Sequence, residues 1–118
     1  SAASDVYKRQ IDKMVAADVI VMATPVYFYT MSAQMKTLID RCCGLYTEMN
    51  DKEFYFIVTA AEDDKEKMMR TVDTFQGFLD CLENPTIKGV IFGLGVWHVG
   101  EIKGNPAMQE AYETGKRV

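Results

Sequence analysis

Two hydrophobic patterns alternate along the chain. Continuous or alternating apolar runs fall at 19–23 (VIVMA), 53–61 (EFYFIVTAA) and 87–96 (IKGVIFGLGV), and each reads as a strand. Between them, apolar residues recur at steps of three and four. Ile11, Met14 and Val15 form the end of one helical face; Met35, Leu38, Ile39 and Cys42 form a second. Met68, Val72, Phe75, Leu79 and Leu82 form a third, and Met108, Ala111, Tyr112 and Gly115 a fourth. The run 19–23 contains no polar residue, which predicts a strand buried on both faces, as in parallel sheets. Pro25 lacks an N–H and predicts that this strand stops at Thr24. Cap signals frame the helices: Thr30 or Ser32 before the second, Asp63 with Glu66 before the third, and Asn105-Pro106 before the fourth. Gly44 ends the second helix and Asn84-Pro85 the third. Helix followed by three strand–helix units predicts a parallel sheet with helices on both faces.

The stretch 24–31, TPVYFYTM, holds three consecutive aromatics just past a strand. In open α/β sheets the crevice outside the carboxyl ends of the strands takes the ligand. The residues alone leave two readings open, a slot for a flat ligand or local packing and subunit contact. The second strand ends on the small residues Thr59, Ala60 and Ala61; the third carries Gly89, Gly93 and Gly95, followed by Trp97 and His98. Trp97 reads as core or dimer contact with a cofactor rim as the lesser option, and His98 as a surface or hydrogen-bonded residue. The acidic run 62–64 reads as a solvated helix start rather than a metal site. A phospho-receiver is disfavoured, because Thr24-Pro25 stands where that chemistry needs an aspartate and the last strand tip has no lysine.

Composition narrows the classes. The net charge of −4 and pI of about 4.9 argue against a nucleic-acid footprint. No apolar run approaches the ~20 residues of a membrane helix, and no signal-peptide pattern is present, so the expected compartment is cytoplasmic. Three cysteines without ligand spacing fit reduced thiols and predict no metal site. Residues 1–10, SAASDVYKRQ, lack apolar periodicity. Residues 5–10 resemble one reading frame of a transposon end used as a sequencing adapter, so 1–10 is expected to be non-native.

Two segments carry a family likeness. TPVYFYTMSAQMKTLIDR (24–41) and GEIKGNPAMQEAYETGKRV (100–118) resemble the flavodoxin-like NAD(P)H-dependent FMN reductases, including their iron–sulfur flavoprotein branch. The resemblance implies an α/β fold, a flavodoxin-like three-layer α/β/α arrangement with a parallel sheet in the order 2-1-3-4-5. The strands here correspond to the third, fourth and fifth; 11–118 would be a partial FMN-binding domain lacking the first two strands and the phosphate loop. The iron–sulfur branch's cysteine cluster would lie upstream of Ile11. Thr24, Pro25, Val26, Tyr27 and Phe28 are implied as one flavin-facing loop, and Thr59, Ala60 and Ala61 as a second, with Gly93, Gly95 and Trp97 a weaker third. Aromatic rings suit a flat slot, and small residues would let amides approach the ring. The implied cofactors are FMN and NAD(P)H, and the implied activity is hydride transfer from nicotinamide to FMN, then electrons to a small-molecule or protein acceptor. Such chemistry requires no protein acid or base, so no catalytic residue is expected. A flavodoxin-type electron carrier without nicotinamide oxidation is the alternative, and a homodimer is implied by the family habit.

Overall fold

The computed structural model describes residues 2–118. Helices α1 (Ala2–Ala16), α2 (Ala33–Arg41), α3 (Lys65–Leu79) and α4 (Pro106–Gly115) alternate with strands β1 (Val19–Tyr27), β3 (Glu53–Thr59) and β4 (Thr86–Gly93). A two-residue strand, β2 (Thr30–Met31), folds back on the end of β1. The sheet order is β2-β1-β3-β4, with β1, β3 and β4 parallel and β2 antiparallel. The architecture is the expected flavodoxin-like α/β fold, with a hairpin that makes the sheet mixed. Register sets Pro25 opposite Thr59 and Thr59 opposite Gly93, so β3 and β4 end level and β1 runs two residues further at the same edge.

Proline does not end β1. The strand continues through Pro25 to Tyr27. A strand with an open side tolerates proline, and among the described residues β1 has no neighbour on its outer edge before Val26. Nor is β1 buried on both faces. Ile20, Met22 and Thr24 point into the core, whereas Val21 is 55 % exposed and Ala23 and Pro25 are also exposed. The cause is the placement of the helices. Buried residues of α1 and α3 share one core with Ile20, Met22, Phe54, Phe56 and Val58, and Met35, Leu38 and Ile39 of α2 pack against it. On the opposite face α4 packs over β4 and leaves β1 uncovered.

α1 is longer than its apolar spacing suggested. Residues 2–10 continue the helix, and Tyr7 lies beneath the Arg41 guanidinium at 5.0 Å. Lys, Arg and Gln favour helix without adding apolar period, which hides this segment from a periodicity search. At its other end the buried Lys52 reaches across and donates from Nζ to the carbonyls of Val15 and Ala17.

The core is aromatic. Phe54, Phe56 and Phe75 have no exposed surface, and the rings of Phe56 and Phe75 stack at 4.5 Å with a 12° tilt. The buried face of α3 is Met68, Thr71, Phe75, Phe78 and Leu79, so Thr71 and Phe78 take places that spacing had given to Val72. α3 stops at Leu79, ahead of Asn84-Pro85, and Leu82 is buried in the turn that follows. Of the candidate caps, Ser32 accepts from the Met35 N–H, and Asp64 rather than Asp63 accepts from the Glu66 N–H.

Cys42 is buried, and desolvation pushes its thiol up from 9.0 to about 11. Burial favours the neutral form, so this contribution to stability is complete below pH 9 and is lost as pH rises toward 11. Cys43 and Cys81 are exposed. Iodoacetamide at pH 8 is therefore expected to label two thiols quickly and Cys42 only after denaturation. Three equally fast modifications, read by intact mass, would contradict this packing.

Candidate active site

The carboxyl ends of β1, β3 and β4 are built differently, and each build follows from local sequence. β1 ends in a hairpin whose register pairs Val26 with Met31 and Tyr27 with Thr30. That leaves Phe28 and Tyr29 as a two-residue turn, with φ of +50° and +67°. Positive φ at both central residues is the type I′ pattern, which normally selects Asn-Gly. Bulky residues there are strained, by roughly 1–2 kcal/mol each. Packing holds the turn in place. Met31 is buried in the core, and Thr24 is 2 % exposed beneath the hairpin. The Thr24 hydroxyl donates to the Pro25 carbonyl at 2.8 Å and accepts from the Ser32 N–H at 2.9 Å.

β3 and β4 are stitched together past their ends. The Ala60 N–H donates to the Gly93 carbonyl, and the Val96 N–H donates to the Ala60 carbonyl, both at 3.0 Å. The Gly95 N–H donates to the Glu62 carbonyl at 3.1 Å. The loop then turns on Gly95 (φ +71°) and is secured by Asn105 Nδ2, donating to the Leu94 carbonyl, and by the Glu101 carboxylate, accepting from the Trp97 N–H at 2.8 Å.

Between these ends lies an open cavity of about 370 Å³, lined by Pro25, Val26, Tyr27, Thr59, Ala60, Ala61, Val96 and Trp97. Its size falls within the roughly 300–1,000 Å³ of small-molecule sites. No charged side chain lines it. Trp97 is 78 % exposed at its mouth, which rules out the core placement that sequence favoured. Polar capacity on the lining residues comes from the Tyr27 and Thr59 hydroxyls, the Trp97 indole N–H and the Ala61 N–H, none of which is engaged among the described residues.

Six of the eight residues singled out from the sequence line this cavity: Pro25, Val26, Tyr27, Thr59, Ala60 and Ala61. Thr24 and Phe28 do not. Thr24 braces the hairpin from below, and Phe28 stands at its tip, 98 % exposed. Ala60 cannot offer its amide to a ligand, because that N–H is spent on Gly93; Ala61 can. Gly93 is a packing glycine rather than a rim residue, since a Cβ there would lie 2.8 Å from Ile102 Cδ1. Val96 joins the cavity without any chemical signal in the sequence. Its placement depends on the backbone bond to Ala60, which no residue type announces.

The cavity lies at the carboxyl ends of the parallel strands, the edge where open α/β sheets take their ligands. The chain belongs to the NADPH-dependent FMN reductase family, whose model matches residues 2–98. Solved structures agree on the fold. The Trp repressor binding protein of Bacillus subtilis superposes with a TM-score of 0.81 at 24% identity, over 95% of this chain and 77% of that one. An NADPH-quinone reductase from P. pentosaceus gives 0.68 at 15% identity, over 92% and 70%. An FMN-dependent NADH-azoreductase from Bacillus anthracis, in complex with FMN, gives 0.66 at 12% identity, over 98% and 63%. No curated protein matches the chain. The protein is thus an FMN-dependent oxidoreductase of the NAD(P)H-using kind, with FMN and NAD(P)H as its cofactors. Among the described residues, no helix is long and apolar enough to cross a membrane.

Proposed function

We propose that the cavity at the carboxyl edge of the sheet holds the ring system of FMN, and that NAD(P)H and then an acceptor meet the ring from its open side. The observation behind this reading is the convergence of three adjacent strand ends on one uncharged cavity with aromatic walls. Pro25, Val26 and Tyr27 form one wall and Val96 and Trp97 the other, with Thr59, Ala60 and Ala61 between them. Thr59 and Ala61 offer a hydroxyl and an amide to the polar edge of the ring. Thr24 acts from beneath, by fixing the hairpin, and Phe28 is placed to meet a molecule stacked on the open side. When bound, FMN supplies the hydride-accepting chemistry. The chain supplies a flat, charge-free slot and orientation. Among the described residues the lining contains no carboxylate, imidazole, thiol or amine; its one ionisable side chain is the Tyr27 phenol, and since hydride transfer to flavin requires no protein acid or base, no side chain is assigned as one.

The acceptor is proposed to be an uncharged, flat, conjugated molecule. Two of the similar structures are by name a quinone reductase and an azoreductase, and a cavity without charge favours such a partner over an ionic one. A flavodoxin-type carrier would instead take electrons only from a partner protein. Anaerobic mixing of the flavin-loaded parent protein with NAD(P)H separates the two. Bleaching of the flavin absorbance is expected; a flavin that stays oxidised until a protein donor is added would favour the carrier.

We further propose that residues 11–118 are the ring-facing part of a larger domain. The open edge of β1 and the exposed face at Val21 and Ala23 lie where the family fold places its first strand and the following helix. The non-native origin proposed for 1–10 rests on their sequence alone, while the family match from residue 2 and the Tyr7–Arg41 contact count against it, and the DNA upstream of Ile11 decides it. A phosphate group held by charge-assisted hydrogen bonds gains roughly 1.5–3 kcal/mol per bond, or tenfold and more in affinity. Without that anchor, this chain is expected to bind FMN and phosphate-free lumiflavin with dissociation constants within about threefold of each other. Tight, phosphate-dependent retention of FMN through purification would refute the partial-domain proposal.

A further inference from the structure

Thr71 lies in the middle of α3, far from the cavity in sequence and absent from its lining. It is fully buried. A threonine inside a helix ordinarily returns its hydroxyl to a carbonyl three or four residues back, as Thr74 does to Thr71 at 2.6 Å. Thr71 does otherwise: its Oγ1 donates away from its own helix, to the carbonyl of Tyr29 at 2.9 Å. Tyr29 is the second residue of the strained turn at φ +67°. The preceding helical residue, Arg70, places its guanidinium 4.6 Å from the centroid of the Tyr29 ring. One turn residue is therefore held twice by α3, by its backbone and by its ring.

We infer that Thr71, assisted by Arg70, is a positioning residue that holds the β1–β2 turn in its left-handed conformation and so sets the Pro25-Val26-Tyr27 wall of the ring cavity. The physical need is specific. Two bulky residues at positive φ persist only where surrounding structure fixes them. The hairpin has only two residue pairs to fix it from within. Internal help is weak, since the Thr30 hydroxyl reaches the Tyr27 carbonyl at 3.3 Å. Tyr27 immediately precedes the turn and lines the cavity, so relaxation of Phe28 and Tyr29 re-aims it. Thr71 touches neither the cavity nor any reacting atom, so its effect passes through Tyr29.

This inference rests on reading the hairpin as a wall of a flavin site, and the test separates the two. Thr71→Val keeps the shape and the methyl packing and removes the donor; Thr71→Ser keeps the donor. Amide hydrogen exchange on the ligand-free chain is compared with lumiflavin affinity measured by quenching of its fluorescence. Loss of one buried hydrogen bond corresponds to roughly a fivefold to tenfold change. Thr71→Val is expected to speed exchange at residues 28–31 by about that factor, leaving core strand β3 unchanged, and to weaken lumiflavin binding similarly. Thr71→Ser is expected to restore both. Unchanged exchange at 28–31 in Thr71→Val overturns the inference whatever the flavin does, as does a uniform acceleration across the whole chain. Faster exchange at 28–31 with wild-type lumiflavin affinity overturns the link from the turn to the wall. A wild-type chain that binds no lumiflavin, with exchange still faster at 28–31 in the variant, supports the clamp and counts against the flavin reading instead.

Discussion

Ala61→Trp is expected to abolish binding of the flavin ring while leaving the fold intact. Ala61 is exposed at the bend after β3 and lines the cavity, and its φ is not in the left-handed region. An indole at this exposed position projects from the lining of a space of about 370 Å³. Substitutions at such surface positions usually change stability by no more than about 0.5 kcal/mol, a melting shift of roughly 2–4 °C for a domain of this size. A steric block acts against one ligand without loosening the protein. Lumiflavin affinity is expected to fall by at least ~100-fold, the equivalent of roughly 2.8 kcal/mol. Near-wild-type affinity in a folded Ala61→Trp chain would place the flavin elsewhere.

Phe56→Ala carries the largest expected loss of stability. Phe56 has no exposed surface, stacks on Phe75 at 4.5 Å and neighbours Phe54 at 6.2 Å. It occupies the middle of β3, opposite Met22 of β1 and Val90 of β4. Removing a buried phenyl ring costs about 3–5 kcal/mol through lost transfer energy and the cavity left behind. Against a typical total of about 5–15 kcal/mol, that lowers the melting temperature by roughly 10–25 °C. Phe28→Ala is the contrast. That ring is 98 % exposed on a residue at φ +50°, so its removal is expected to leave the melting temperature unchanged. Calorimetry of the two variants checks both; equal losses would mean that the core and the turn have been misassigned.

The architecture was legible in the sequence because its main signals are physical and local. Apolar runs of five to ten residues and helical spacing between them placed β1, β3, β4 and the helices that follow. Ser32 and Asn105 announced their caps. What the sequence concealed depended on tertiary neighbours. Pro25 reads as a stop, yet an open strand edge lets β1 run on to Tyr27. Residues 19–23 read as buried on both faces, and only the position of α4 over β4 uncovers Val21. Asp63 and Asp64 are both acceptable caps, and the chain's path chooses the second. The site divides in the same way. The family resemblance implied Thr24, Pro25, Val26, Tyr27, Phe28, Thr59, Ala60 and Ala61, and all but Thr24 and Phe28 line the cavity. Val96 and the bracing roles of Thr24 and Thr71 follow from hydrogen bonds between segments distant in sequence, which no residue pattern displays.

Amide chemical-shift mapping with lumiflavin tests the central claim most directly. The account predicts saturable shifts confined to the amides of Val26, Tyr27, Thr59, Ala60, Ala61, Val96 and Trp97, with none in α1 or α2. Shifts centred instead on the cleft lined by Tyr7, Ile11, Arg41 and Leu45, or no saturable shift at all, would contradict it.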